Sequence, residues 1–365
     1  MKIAIDKSLL IAELDKLSIA SPVGKTPLAI LEGILVEAQS NQVHFTRNNL
    51  DVAIMRTINC EVLDPGKTVV NSKMFTDIIK RMPDEEIDII TDDQKMVIEA
   101  GQTHMEIGAL SATDYPPLPE IDSDTGFEID QQVLKRLVSG VSYAVAIDDK
   151  KPSLTGIYID VQNGILNVVA IDGYSMAWRK AKTDLSNIHI LPKGNDFDNV
   201  CKLLDEGKAK ITASKSNIGI ESEGMKITLR SLDGEYLNYA GIVPKTFITT
   251  ARIKVKEFLQ AVERSLLFRQ EIGGKLNGTM TIKISQKGFN LTLHNFNGKF
   301  DEDFPADVEG DNLSISFDPL KIYNSLRHVE DKEVIIKFSS NVGPCIISPV
   351  NSDLFTYFIL PVVRS

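Results

Sequence analysis

The chain has 365 residues, 43% hydrophobic and 25% charged, the make-up of soluble globular protein with room for two or three domains. Its formal net charge of −10 excludes a chain that is basic throughout, but not a basic surface confined to one face. No stretch approaches the roughly 18 apolar residues of a membrane helix. The opening MKIAIDKSLLIAELDKL is interrupted by Asp6, Glu13 and Asp15 and does not read as a signal peptide. Cys60, Cys201 and Cys345 show no C-x-x-C spacing and read as reduced cysteines of a cytoplasmic protein.

In chain order, the first predicted element is an amphipathic helix over 5–17, with Leu10, Leu14 and Leu17 on one face and Asp6 placed to cap it. The strand LEGILVEA (31–38) follows, then a second helix over 71–81, then the alternating run EIDIITDDQKMVIEAGQTHMEIGAL, which reads as antiparallel hairpins with one wet face. The same order returns with a helix over 129–141 (Val133, Leu134, Leu137, Val138, capped by Asp130), the strand LTGIYIDV (154–161), a helix over 195–205 and the hairpins AKITASKSNIGIESEGMKITLRSL. It returns again with a helix over 255–267 (Phe258, Leu259, Val262, Leu266), where Val255 stands in place of the cap. LNGTMTIK (276–283), a helix opened by Asp318 and Pro319, and a last set of alternating strands complete this third copy. Gly33, Gly156 and Gly278 open the three equivalent strands at intervals of 123 and 122 residues, a third of the chain. The expected fold is α+β: three repeated modules over 1–122, 126–246 and 247–365, with helices on one face of antiparallel sheets.

The charge is distributed unevenly. Taken as 7–18, 71–81, 131–146, 195–205, 254–269 and 319–329, the six helices carry 14 basic and 8 acidic residues, so +6, and leave −16 on the rest of the chain. A basic helical surface inside an acidic protein suits a phosphate backbone. Chemistry-bearing motifs are missing: G-K-T at 24–26 and 66–68 lacks the upstream glycine of a phosphate loop, and no two of the five histidines stand at metal-ligand spacing. The acidic clusters Asp84-Glu85-Glu86, Asp92-Asp93, Asp148-Asp149 and Asp301-Glu302-Asp303 read as solvated turns. No catalytic residue, metal or cofactor is expected.

The three-module plan, the L-x-G strand starts, IDGYSMA (171–177), SLDGEYLNYAGIVP (231–244) and YFILP (357–361) together resemble the bacterial DNA polymerase III beta subunit family, the replication sliding clamps, over the whole chain. That resemblance implies a non-enzymatic processivity factor: two three-module chains closing head to tail into a ring around duplex DNA, bound without sequence preference. It implies DNA-facing cations at Lys73, Lys80, Arg81, Lys135, Arg136, Lys254, Lys256, Arg264, Lys321 and Arg327, and in loops at Lys25, Lys150 and Lys151. It also implies a pocket for short peptide motifs of the polymerase III alpha subunit and the clamp loader. The pocket would comprise Leu154, Ile171, Gly173, Tyr174, Met176, Leu237, Ile242, Val342, Leu360, Pro361 and Val362. The family's glycine–histidine–arginine is here Gly173-Tyr174-Ser175, and its glycine–arginine–phenylalanine–proline is Gly234-Glu235-Tyr236-Leu237, so two guanidinium groups are replaced and an acid is added. Dimer contacts are implied at Met105 and Ile107 on one edge and at Leu266, Leu267 and Phe268 on the other. The rival readings are a metal-dependent DNA-processing enzyme working through an acidic cluster, and a repeat scaffold that binds only proteins.

Overall fold

Helices form where the sequence supplies an apolar stripe together with a cap. In α1 (Lys7–Leu17) the Asp6 carboxylate accepts the Leu9 N–H at 2.9 Å, and in α2 (Ser72–Arg81) the Asn71 side chain accepts that of Met74 at 3.0 Å. Asp130 serves α3 (Gln131–Ser139) through the Val133 N–H at 2.9 Å. α4 spans Gly194–Cys201; α5 (Val255–Leu266) begins after Lys254 without a side-chain cap; α6 (Pro319–Leu326) has Asp318 bound to the Leu320 N–H at 3.0 Å and proline in its first turn. α3 is shorter than the predicted 131–146 because the chain at Gly140 passes against the Arg179 side chain, with no room for a Cβ, and turns into a 3₁₀ segment over Ser142–Ala144. The computed structural model describes residues 1–363 apart from 23, 25, 27, 93, 120, 122–125, 148–149, 186–187 and 273–274.

The described chain folds as two compact units, 1–133 with 199–231, and 134–198 with 232–365. These do not follow the three consecutive repeats, because the second repeat is shared. In the first unit, strand Met225–Arg230 of the second repeat pairs antiparallel with Val52–Asn59 of the first, from Met225 opposite Arg56 to Leu229 opposite Val52. This joins the strands of both into one 13-stranded sheet. α1 and α2 pack on it through Leu10, Leu14, Leu17, Phe75 and Ile79, all buried, with the Phe75 ring 6.3 Å from that of Phe45.

In the second unit, strand Ser175–Lys182 pairs antiparallel with Phe355–Ile359, so a nine-stranded sheet runs from the second repeat into the third. A four-stranded sheet beside it carries α5, whose Phe258 lies 5.0 Å from the Phe304 ring and 5.9 Å from the Phe289 ring. Asp301-Glu302-Asp303 does not form a turn as expected. It lies on edge strand Gly298–Phe304, where the alternating Phe300 and Phe304 are buried and fix the extended chain. The three cysteines are not joined in disulfides; burial pushes the thiols of Cys60 and Cys345 up from the ordinary range.

The recurring L-x-G acquires a steric reason. A Cβ at Gly33 would meet the Val69 side chain and stand 3.0 Å from the Val70 carbonyl oxygen, and one at Gly156 would stand 2.7 Å from a Leu191 methyl. Gly278 is at φ +101° with the Phe268 carbonyl oxygen 2.7 Å from an added Cβ, so both backbone angle and space demand glycine. Gly278→Ala is expected to cost roughly 2 kcal/mol or more of unfolding free energy, read as a lower urea midpoint at unchanged slope. A shift equivalent to less than about 0.5 kcal/mol would contradict this account of the glycine.

Candidate functional site

The strand pairing of the second unit builds an apolar floor. Met176 stands opposite Phe358, and with Leu154, Val169, Ile171, Tyr239 and Ile346 they form one buried cluster, flanked by half-buried Tyr158, Trp178, Tyr236, Val243 and Phe247. Of the predicted pocket residues, Leu154, Ile171 and Met176 thus lie in the floor at 7%, 4% and 1% exposure. The others lie higher: Tyr174 is 70% exposed, Gly173, Leu237, Ile242 and Leu360 are exposed, and Pro361 and Val362 are half-buried. Val342 is exposed in the turn between strands Glu333–Phe338 and Cys345–Pro349. The hairpin turn 172–175 meets the carboxy-terminal segment where the Leu360 N–H donates to the Tyr174 carbonyl at 2.9 Å. The arrangement is a hydrophobic base with a few side chains standing proud, suited to anchoring one or two apolar side chains of a peptide.

Sequence reading missed Tyr239, Phe358, Ile346 and the aromatic belt beneath them. Tyr158 stacks on Tyr236 at 4.7 Å, Trp178 meets Tyr239 edge-on at 4.9 Å, and the Lys180 ammonium sits 4.1 Å from the Trp178 ring. Phe358 was accessible from the apolar run YFILP; the Tyr158–Tyr236 stack carries no local signal, since the two rings come from residues 78 apart.

The predicted cations fare unevenly. Lys73, Arg136, Lys151 and Lys256 are exposed, as is Lys150; Lys135 is half-buried, and Lys25 lies outside the described residues. Lys80 is bound to Asp15 at 2.7 Å, Arg81 to Asp77 at 3.3 Å and Lys254 to Glu257 at 3.4 Å, exposed pairs that water and salt weaken. Arg264 makes a two-pronged pair with Glu302, with Nε to Oε2 at 2.9 Å, and Arg327 donates to His328 Nε2 at 3.0 Å. Lys321 is turned onto the Asp172 carboxylate, with its side chain 27% exposed. Among the described residues, no group of three or more histidine, cysteine or acidic side chains is placed to hold a metal ion.

Among the described residues, two of the open strand edges lie at the expected dimer contacts. Residues 103–108 of strand Thr103–Leu110 pair on one side only, with 95–100, and strand Gly298–Phe304 pairs only with Gly288–Asn295. Beside the first edge, Met105 lines a groove of about 330 Å³ with Lys73, Met74, Ile78 and Arg81. Ile107, by contrast, is 4% exposed and already part of its own core, so the expected contact there is corrected: its side chain faces inward on the strand. Leu266 and Phe268 are half-buried, whereas Leu267 is 81% exposed.

Comparison with known proteins decides the family. The models for the N-terminal, central and C-terminal domains of the DNA polymerase III beta subunit match residues 1–119, 128–238 and 240–363. The chain belongs to the DNA polymerase III beta subunit family. It is 29% identical over 382 aligned residues to a beta sliding clamp of Bacillus subtilis, with 99% of each chain covered. A crystal structure of the DNA polymerase sliding clamp from Bacillus subtilis matches at TM-score 0.93 and 26% identity, covering all of both chains. A sliding clamp of Pseudomonas aeruginosa solved bound to griselimycin has the same fold, at TM-score 0.93, 21% identity and full coverage of both chains. The three-module α+β architecture is therefore that of the beta subunits.

Behind this beta-subunit chain's pocket floor lies a buried cation. Arg179, 9% exposed, donates from Nε to the Tyr357 hydroxyl at 3.0 Å and from its terminal nitrogen to the His328 carbonyl, with its guanidinium over the Phe355 and Tyr357 rings. The His328 ring stacks at 6.1 Å on Tyr143, whose hydroxyl donates to Ser325 at 3.1 Å. Burial, and then the positive charges of Arg327 and Arg179, hold His328 below its ordinary value of 6.5 against the opposing pull of Asp198. The unfolded chain then binds more protons than the folded one as pH falls through 6.5, so stability declines on acidification. His328→Gln is expected to flatten the fall in denaturation midpoint between pH 7 and about 5; an unaltered slope would contradict the assignment.

Proposed function

We propose that this chain is a DNA sliding clamp of the DNA polymerase III system, a cytoplasmic processivity factor. It encircles duplex DNA as a homodimer and tethers the polymerase alpha subunit and the clamp loader through peptide motifs held in the pocket. The observation that carries this reading is the succession of three beta-subunit domains filling one chain, together with its full-length likeness to the Bacillus subtilis relative named a sliding clamp. No bond is made or broken; the work is topological. Cations on the helices meet phosphates without reading sequence, so they hold the ring near the duplex yet permit sliding.

Closure by a second copy is supported by the two open edges, which are unsatisfied hydrogen-bonding surfaces until another strand adds to them. Strand Gly298–Phe304 brings Asp301, Glu302 and Asp303, while the groove beside strand Thr103–Leu110 brings Lys73 and Arg81 around Met105. With Arg81 paired to Asp77, Glu302 to Arg264 and Asp301 to Lys299, the complementary charges left are Lys73 and Asp303, and Leu267 supplies an exposed apolar side chain of a size to enter such a groove.

In solution the mass is expected near twice 40.4 kDa, and Leu267→Asp is expected to shift it towards a single chain; an unaffected dimer contradicts the role of Leu267. Loaded on circular DNA by a separate clamp-loading ATPase, the protein is expected to persist through a high-salt wash and to run off once the circle is cut. Equal loss from circles and linear DNA would sink the sliding-clamp reading. Lys73→Glu, Lys80→Glu and Lys135→Glu combined are expected to shorten residence on circles, and unchanged residence favours a scaffold that binds only proteins.

A further inference from the structure

The turn at the pocket mouth is organised by one carboxylate. Asp172 accepts the N–H groups of Tyr174 and Ser175 at 2.9 and 2.7 Å and the Ser175 hydroxyl at 3.1 Å, while its own N–H closes the turn onto the Ser175 carbonyl at 3.1 Å. Gly173, at φ +88°, lets the chain reverse there. The remaining acceptor capacity of Asp172, whose side chain is 9% exposed, goes to the Lys321 ammonium. Lys321 is itself seated in α6, where its carbonyl accepts from Ser325 at 2.9 Å, and the Ser325 hydroxyl accepts from Tyr143. On the opposite side the Leu360 N–H holds the Tyr174 carbonyl, and the Val362 N–H holds that of Ser316 at 2.8 Å. Tyr174 and Gly173 are thus exposed above the apolar floor but clamped from two directions, by the carboxy-terminal segment and by α6.

We propose that Lys321 is a positioning residue for the peptide pocket: by fixing Asp172 it holds the 172–175 turn in the peptide-receiving position, and so sets peptide affinity rather than meeting DNA phosphates. The inference rests on the pocket reading given above. Its physical basis is preorganisation. A mouth already ordered in the free protein loses little freedom when a peptide binds, whereas a turn released from α6 must be ordered at the peptide's expense. The pair is half-buried and satisfied by several other hydrogen bonds, the setting in which an ion pair is worth more than at an exposed site.

The test is calorimetric titration of the full-length protein with griselimycin, the ligand of the Pseudomonas aeruginosa clamp, with thermal unfolding followed on the same samples. Lys321→Met, which keeps the apolar stem, is expected to weaken binding roughly tenfold, and Lys321→Arg to remain within about twofold of the unaltered protein. Asp172→Asn is expected to weaken binding as well, and adding Lys321→Met to it to cause little further loss, since the two act through one contact. Should Lys321→Met fail to fold, Lys321→Gln and Asp172→Asn carry the same expectation. A lowered unfolding temperature with unchanged affinity makes the pair merely structural and overturns the inference. So does full affinity with the defect appearing instead in salt-resistant retention on DNA. No uptake by the unaltered chain overturns the pocket reading itself.

Discussion

The antiparallel pairing of Ser175–Lys182 with Phe355–Ile359 is the interaction on which the rest of the functional surface depends. It sets Met176 against Phe358 and so assembles the pocket floor from two repeats that are remote in sequence. The same register delivers Leu360 to the Tyr174 carbonyl, bringing the carboxy-terminal segment to the pocket rim. A slip of one residue would turn the floor's apolar side chains to the opposite face of the sheet. Its counterpart, Met225–Arg230 on Val52–Asn59, merges the remaining strands of the second repeat with the first. The middle repeat thus has no sheet to itself, and the chain gains long, continuous β-surfaces from three short copies.

On those sheets the helices are placed by ordinary packing, and their charge becomes a matter of what each cation finds nearby. A long basic side chain in water is available to a phosphate; one that finds a half-buried carboxylate is committed. Lys321 and the Arg264–Glu302 pair belong to the second kind, Lys73 and Lys256 to the first. The positive charge that the helices leave in water is therefore smaller than a count of lysines and arginines suggests, which suits the proposed sliding, where contacts with DNA must not impede movement.

Much of this was legible in the sequence. Caps at Asp6, Asp130 and Asp318 act locally within three residues, so those helix starts could be read directly. The L-x-G spacing revealed the repeats, although its cause, a neighbouring strand or carbonyl too close for a Cβ, belongs to tertiary structure. Pairing between repeats was not legible, because backbone hydrogen bonds leave no side-chain signature. The early end of α3 was hidden for a related reason: Arg179, distant in sequence, occupies the space beside Gly140. Residues 301–303 of strand Gly298–Phe304 read as a turn because Asp301 and Asp303 face outward and Glu302 stands between Phe300 and Phe304 on the inward face, although those two buried rings keep the period of two. Within the pocket, the apolar residues were readable from the family motifs, whereas the attachment of Lys321 to Asp172 required coordinates.

Retention by encirclement, with the basic helices turned towards the duplex, is the claim that binds these parts together. Imaging the protein loaded on DNA by single-particle electron microscopy tests it most directly. The account predicts a closed assembly of two chains with the duplex passing through its centre and α1, α2, α5 and α6 among the elements facing it. A duplex lying along the outer sheets, or a single unpaired chain at its side, would contradict it.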